Sequence, residues 1–368
     1  MIGKLLDKCL KKKWTDEAVL NYVGEYQDAF ITHSTDVSVR EKSASGGTTT
    51  SLLIQGLKSG DFEGVIVCKT SVRKGRVRAR FFIATTVEDI LAARGSKYVE
   101  AKFLAEVLPL IRGFEGRLAI VGLPCDITAL KRFCNKYVDI ANKIVFTIAL
   151  FCGHNSRIAL IDEITARIER ESQKQIVDYR FRVGNWRGQL EAVFDDGTVK
   201  SKPTKYFNDY QNLFFFCQRK CMSCNDHYGY DADMSVGDVW LFRLRSSPIK
   251  HTGVIVRKDA GIRMHDIALA ANAIDSSKIE IREIMDGQSR IGPSHYNVSA
   301  RHKAGRLFGV HIKDTVKQEV AWHEYLNALI TVGNMCLSEK AWGEKVIFGT
   351  PRPILKLYLY FKKALESL

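Results

Sequence analysis

Cysteines occur in three separated patches: Gly122-Leu123-Pro124-Cys125, Phe151-Cys152 and Cys221-Met222-Ser223-Cys224. Thiolates that are distant in sequence but converge in space build a metal centre, two ligands coming from one tight turn and the others from separate strand ends. A C-x-x-C alone suits zinc, an iron–sulfur cluster or a redox disulfide. Zinc usually takes a second close pair of ligands, whereas Cys125 and Cys152 stand singly. This looser pattern favours a 4Fe–4S cluster on four thiolates, with zinc as the alternative. Cys217 keeps a different ligand set open, because C-x-x-x-C-x-x-C can supply three sulfurs from one loop and displace one of the distant pair. Cys9, Cys68, Cys134 and Cys336 read as small apolar core residues. His154, two residues past Cys152, is a candidate catalytic group that could orient a substrate or donate a proton. A satisfied loop histidine is its plainer reading.

Two glycine turns precede the cysteines. Ser45-Gly46-Gly47-Thr48 leads into a helical stretch carrying Leu52, Leu53, Ile54 and Leu57. Glycines admit a phosphate close to the backbone, and free N–H groups at a helix start favour negative charge. The ordinary alternative is an N-cap by Ser45 or Thr48. Gly95-Ser96-Lys97-Tyr98 combines a turn, a hydroxyl, a cation and a ring that suit a dinucleotide, or make only a surface turn. Neither is the G-x-G-x-x-G of the dinucleotide fold.

Short apolar runs alternating with amphipathic stretches must position these groups. Residues 64–68 and 118–121 read as strands, 126–133 as a helix and 144–150 as a strand, so Cys125 and Cys152 fall just past strand ends. Ligands of open α/β sheets collect at such carboxyl ends. Residues 179–200 have β character, with Asp195-Asp196-Gly197 as a hairpin turn. Residues 234–240 look like a strand edge and 253–257 like a core strand, and the chain reads as helical from about residue 298. The expected class is α/β: a mixed sheet flanked by helices, an inserted β-rich region carrying the cysteine loop, and a helical C-terminal region. The expected division is a basic helical segment over 1–40, a core over 41–290 and a helical region over 291–368.

The 368 residues are 46% apolar and 26% charged, as in a globular protein with a sizeable core. Nine cysteines at irregular spacing, with no cleavable signal sequence, point to free or metal-bound thiols in a reducing cytoplasm. No apolar run approaches the roughly 18 residues of a membrane span. The net charge of +14 favours an anionic partner. Without a basic recognition helix or a stacking motif, nucleic acid is not expected. Both termini are basic and amphipathic. Ile2, Leu5, Leu6, Cys9 and Leu10 line one stripe, and Ile354, Tyr358, Phe361, Leu365 and Leu368 another, with Lys356 and Lys363 opposite. Packing on the body explains such stripes, while peripheral contact with anionic lipid remains open. So does a homo-oligomer.

The ordered series Ser45-Gly46-Gly47, Gly95-Ser96-Lys97-Tyr98, Gly122-Leu123-Pro124-Cys125, Phe151-Cys152, Cys221-x-x-Cys224 and Ala232-Asp233-Met234-Ser235-Val236-Gly237-Asp238 resembles the coenzyme F420 hydrogenase/dehydrogenase beta-subunit family, which also includes chlorophyll-cycle reductases. The resemblance covers about residues 40–290. It implies an oxidoreductase that moves electrons between a 4Fe–4S cluster, FAD and a reducible substrate. By position, Cys125, Cys152, Cys221 and Cys224 would be the cluster ligands, and the Ser45–Thr48 and Gly95–Tyr98 segments would contact FAD. Many relatives begin with a ferredoxin-like segment that this chain lacks, so the expected donor is external, such as an acidic ferredoxin, with coenzyme F420 as a further candidate. Leu123 stands where the family commonly has threonine. Shorter bacterial relatives resemble proteins encoded with surface-polysaccharide biosynthesis. The rival reading is a zinc-stabilised, non-catalytic protein with a basic surface for nucleic acid or lipid.

Overall fold

The computed structural model describes residues 14–368, so the N-terminal stripe with Ile2, Leu5, Leu6, Cys9 and Leu10 lies outside the described residues. The described strands are β1 (Asp28–Ser34), β2 (Gly64–Arg73), β3 (Arg76–Ala84), β4 (Leu118–Gly122), β5 (Ile144–Leu150), β6 (Ile176–Val183), β7 (Gln189–Phe194), β8 (Val199–Pro203), β9 (Met234–Asp238), β10 (Thr252–Val256) and β11 (Ile274–Lys278). Eight form a mixed sheet in the order β11-β1-β10-β9-β5-β4-β2-β3. Its centre, β2-β4-β5-β9, is parallel, and antiparallel strands extend it on both sides.

Uninterrupted apolar runs make this centre because both faces are covered. Val65, Val67 and Ala119 turn toward the helices Thr48–Lys58 and Asp259–Ala270, while Ile66, Leu118 and Ile120 turn toward Phe103–Gly113 and Pro124–Cys134. The far half of β2 leaves this cover with its partner β3 and alternates in burial instead. Residues 234–240, which look like a strand edge in sequence, hold an interior strand. β9 pairs with β5 on one side and β10 on the other, and its first three residues are buried. A five-residue strand containing serine and glycine carries too weak an apolar pattern to announce an interior position. The carboxyl ends of β4, β5 and β9 thus lie side by side.

Strands β6, β7 and β8 form a separate antiparallel sheet. Its predicted hairpin turn is present: Gly197 adopts φ +80°, and Asp196 accepts from the Thr198 N–H at 3.0 Å. The C-terminal region is built of Val298–Leu307, Trp322–Leu337, Ala341–Gly349 and Arg352–Ser367. Among the described residues no helix is long and apolar enough to cross a membrane.

The last helix turns a different face inward from the one its apolar stripe suggests. Leu355, Leu359, Lys362 and Leu365 are buried, whereas Ile354, Phe361 and Leu368 are exposed. The inward lysine is the reason: Lys362 ion-pairs with Glu366, which also pairs with Arg290, and its ammonium lies 4.6 Å from the centre of the Phe214 ring. Two cations against one buried carboxylate keep Glu366 ionised below its ordinary range, although burial opposes this. Glu366→Gln leaves Lys362 buried without a counter-charge and should cost about 3–5 kcal/mol of stability. Phe361→Glu, on the exposed side, should stay within about 0.5 kcal/mol. Parallel chemical denaturation curves check both.

Candidate metal centre and cofactor turns

Each cysteine patch is delivered by a local device. After β4 the chain extends at Leu123, and Pro124 opens a helix at the position where its missing N–H costs nothing. Asp126 accepts from the Leu123 N–H at 3.3 Å, closing the turn that presents Cys125 in the first helical turn. Cys152 follows β5 directly, and its N–H donates to the His227 carbonyl at 3.0 Å. Past it, Ser156 bridges Cys217, and Gln218 N–H donates to the Asn155 carbonyl at 3.0 Å. This pairing draws the distant loop up to the end of β5. The 3-10 turn Arg219–Ser223 then presents Cys221 and Cys224. Phe214 and Phe216, just upstream, take φ of +62° and +61°, a strained backbone for large side chains.

Cys125, Cys152, Cys221 and Cys224 line one small cleft of about 40 Å³, together with Leu123, Pro124, His154, Lys220 and His295. Among the described residues, no three His, Cys, Asp or Glu side chains are grouped closely enough to hold a single metal ion. The sulfurs surround a shared space, and every described cysteine is a free thiol. Cys217 is fully buried in the apolar core of the C-terminal region, with Met222 and Val298. Its thiol donates to the Gln218 carbonyl at 3.5 Å, and its closeness to Cys221, ahead of the Asn155 N–H 3.4 Å from Sγ, lowers the Cys221 pKa despite burial. The other three shift the opposite way. Burial pushes the Cys125 and Cys152 thiols well up, and Cys224 up to about 11. Three thiols held protonated in a common cleft become thiolates together only when a positive charge enters it. The donor set therefore fits a thiolate-bound metal group.

Two cations support the cysteines. Lys220 reaches into the same cleft 3.8 Å from Asp126; Cys125 and Asp126 outweigh burial and raise its pKa. Arg301, from the helix Val298–Leu307, is only 4% exposed. It donates to the carbonyls of Met222 at 2.9 Å, Cys224 at 2.9 Å, Ser294 at 2.7 Å and His295 at 2.7 Å. Burial lowers it to about 10, against the pull of Cys224, Cys217 and Cys221, so it stays charged at neutral pH. His154 stacks on Phe214 with centroids 4.1 Å apart, and burial, before the charge of Lys362, lowers it to about 4. It is a neutral imidazole. Its Nε2 is buried without a protein partner, as are those of His227 and His295.

The glycine turns are wired into the fold. Ser45 Oγ donates to the His251 carbonyl at 2.7 Å, and Gly46 N–H donates to Thr252 Oγ1 at 3.0 Å. A Cβ on Gly46 would meet the Thr32 and Lys250 carbonyl oxygens at 2.8 and 2.9 Å, so only glycine fits between β1 and β10. Neither Ser45 nor Thr48 is the N-cap. Gly47, at φ +83°, holds that place without a side-chain hydrogen bond, and Thr48 instead shares a hydrogen bond with Thr32 at 2.7 Å. In the second turn Lys97 donates to the carbonyls of Ala93, Arg94 and Gly95, and burial pulls its pKa down to about 8. Tyr98 stacks over Phe207 and meets Phe181 edge-on.

Sequence reading missed Lys220, Arg301, His227 and His295. His227, three residues after Cys224, was within reach of a local search. Arg301 is one of many scattered arginines, and nothing in its neighbours announces a buried clamp.

Fold and site together define a mixed α/β protein with a thiol-lined cleft at the carboxyl edge of its sheet. The chain belongs to the coenzyme F420 hydrogenase/dehydrogenase beta-subunit family: models of the family's N-terminal and C-terminal parts match residues 29–108 and 115–282. It is 24% identical over 263 residues to coenzyme F420 hydrogenase subunit beta of Methanosarcina barkeri, covering 70% of this chain and 84% of that one. The same-named subunit of Methanococcus voltae is also 24% identical, over 70% of this chain and 86% of its own. A coenzyme F420-dependent sulfite reductase of Methanocaldococcus jannaschii is 25% identical over 64% of this chain and 36% of its own. A chain of the F420-reducing [NiFe] hydrogenase complex of Methanosarcina barkeri shares the fold, with a TM-score of 0.60 at 22% identity, covering 80% of this chain and 98% of that one. The named relatives are oxidoreductases or their subunits.

Arg301 lies beyond both matched segments. Arg301→Met should free the Cys221–Cys224 loop and cost several kcal/mol, given about 1.5–3 kcal/mol for a charge-assisted hydrogen bond. Thiol alkylation followed by peptide mass mapping should show Cys221 and Cys224 labelled faster than in the parent protein. Equal labelling would contradict the clamp.

Proposed function

We propose that the chain is an FAD- and iron–sulfur-dependent oxidoreductase with one 4Fe–4S cluster on Cys125, Cys152, Cys221 and Cys224. One observation carries the reading: four thiols from three distant segments share a cleft, and burial keeps three of them, Cys125, Cys152 and Cys224, protonated until positive charge arrives. Lys220, in the cleft, and Arg301, bound to the carbonyls of Met222 and Cys224, offset the negative charge of a tetrathiolate site. Neutral His154 and His295 supply polar wall groups, and His154 is the candidate for orienting a ligand in the cleft.

FAD is proposed along Ser45, Gly46, Gly47 and Thr48, with Gly95, Ser96, Lys97 and Tyr98. Support comes from the helix start after Gly47, where no side chain caps the first N–H groups, and from the cation of Lys97. When bound, a flavin exchanges two electrons as hydride with one partner and single electrons with a cluster. The donor is proposed to be an external one-electron carrier of the ferredoxin type or coenzyme F420, and the net charge of +14 suits an acidic one. A reducible substrate in surface-polysaccharide assembly fits the shorter relatives that this chain resembles. The oxidoreductase core expected over 41–290 also takes in β1 (Asp28–Ser34), which pairs with β10 and β11 inside the main sheet, so the segment before residue 41 is not helical throughout; 291–368 is proposed as the core's helical support.

Anaerobically purified protein should be brown, with equimolar iron and acid-labile sulfide beneath a flavin spectrum. A colourless, flavin-free preparation with stoichiometric zinc refutes the reading. Cys125→Ser should abolish the cluster signal, whereas an intact cluster in that variant would transfer the ligand role to Cys217.

The exposed side of the last helix, with Ile354, Leu357 and Phe361, is proposed to rest on anionic lipid, its flanking lysines meeting the headgroups. Leu357→Glu with Phe361→Glu should reduce co-sedimentation with phosphatidylserine vesicles at least about fivefold. These outward residues test the contact without unpacking Leu355, Leu359 and Leu365. Unchanged sedimentation leaves the helix with its packing role alone.

A further inference from the structure

The seam that joins residues 155–158 to 216–218, and so brings the cysteine loop up to the end of β5, has a third participant in Glu100. Its carboxylate comes from a distant segment and bridges the two sides. Oε2 accepts from Gln218 Nε2 at 2.9 Å, and Oε1 accepts from the Ile158 N–H at 3.4 Å. Ile158 opens the helix Ile158–Ser172, whose N-cap residue Arg157 supplies no side-chain hydrogen bond. A carboxylate is favoured at such a start, where the free N–H groups and the helix dipole are positive.

Gln218 is the hub on the other side of the seam. Its N–H donates to the Asn155 carbonyl at 3.0 Å. Its carbonyl accepts from the Cys221 N–H at 3.0 Å and from the Cys217 thiol at 3.5 Å. The Arg157 N–H closes the seam on the Phe216 carbonyl at 2.7 Å, and the Asn155 N–H donates to Cys221 Sγ at 3.4 Å. Gln218 is buried, so losing the Glu100 carboxylate leaves its amide without a partner. Glu100 thus fixes the residue from which the turn carrying Cys221 and Cys224 is hung.

At its other end Glu100 stands two residues past Tyr98. Lys97 ties the Gly95–Tyr98 turn to itself through three carbonyls, and Tyr98 packs on Phe181 and Phe207. Val99 is buried in one cluster with Leu160 and Ile161 of the helix that Glu100 caps. No flexible linker separates the turn from the carboxylate, so a constraint on one reaches the other.

We propose that Glu100 is a positioning residue that couples occupancy of the Gly95–Tyr98 turn to closure of the cysteine loop. The coupling rests on the reading of that turn as a flavin contact, and not on which metal the thiols hold. A flavin seated on the turn restrains residues 95–100, and Glu100 then restrains Gln218 and the seam. Linkage makes the effect reciprocal: a metal group held by the loop tightens flavin binding by the same factor.

Purified holoprotein is compared with the same protein stripped of FAD, and the rate at which a chelator removes the metal is read in each. In wild type, FAD should slow metal release at least about fivefold, and removing the metal should weaken FAD binding by a similar factor. In Glu100→Ala, FAD should still bind, and release should be equally fast with and without it. Glu100→Gln keeps an acceptor oxygen for Gln218 and should restore most of the wild-type ratio. A purely structural Glu100 behaves differently: in Glu100→Ala release speeds up in both states, and their ratio stays as in wild type. That outcome overturns the proposal, as does a wild type whose metal release ignores bound FAD. If Glu100→Ala does not fold, Gln218→Leu, which removes the partner amide, should show the same loss of the ratio. Wild type that binds no FAD refutes the flavoprotein reading and the coupling together, whereas bound FAD without coupling refutes the coupling alone. If wild type holds no metal, the metal reading falls, and alkylation rates of Cys221 and Cys224 decide the same comparison.

Discussion

The arrangement of this molecule depends on where three parallel strands stop. β4, β5 and β9 end at one edge of the sheet, and each hands the chain to a group with chemical capacity: Cys125, Cys152 and Asp238. Parallel pairing makes this convergence unavoidable, because all carboxyl ends of a parallel set point the same way. The fourth contribution, from Cys221 and Cys224, is not delivered by a strand end. It comes through the pairing of residues 155–156 with 217–218, a few hydrogen bonds joining segments some 60 residues apart. That short seam turns two lone cysteines and a C-x-x-C into one cleft.

A cleft lined by buried thiols is electrostatically incomplete, and the surrounding structure is arranged around that fact. Arg301 satisfies carbonyls of the cysteine loop, while Lys220 lines the cleft. The outer layer repeats the theme: Lys362, Glu366 and Arg290 form a buried network, and Lys362 and His154 both lie against Phe214. The helical C-terminal region, beyond the segments matched by the family models, is therefore part of the site's construction. Buried ionic networks of this kind add little net stability but penalise any arrangement that breaks them.

Much of the sheet could be read from the chain because apolar runs such as 64–67, 118–121 and 144–150 bury on both faces and leave an unmistakable pattern. The interior position of β9 was hidden, since Ser235 and Gly237 break its apolar run and its neighbours are chosen by topology. In the last helix, the 3.6-residue period allowed two apolar faces, and the inward one contains a lysine. Hydrophobicity alone cannot select a face whose burial depends on a counter-ion from another element. The N-cap assignment failed for a similar reason: Ser45 and Thr48 are bonded to His251 and Thr32, partners that local sequence does not reveal.

Residue types and spacing by themselves determined the chemistry on offer: the thiols, their placement past strand ends, the glycine turns, and the family to which the chain belongs. Tertiary structure alone decided which sulfurs share a cleft, that Cys217 packs behind it as a hydrogen-bond donor, and that Arg301 and Lys362 are buried. The physical reason is common to all three. Local sequence sets backbone shape and apolar burial over a few residues, whereas the cost of burying a charge or a thiol depends on partners supplied from far along the chain.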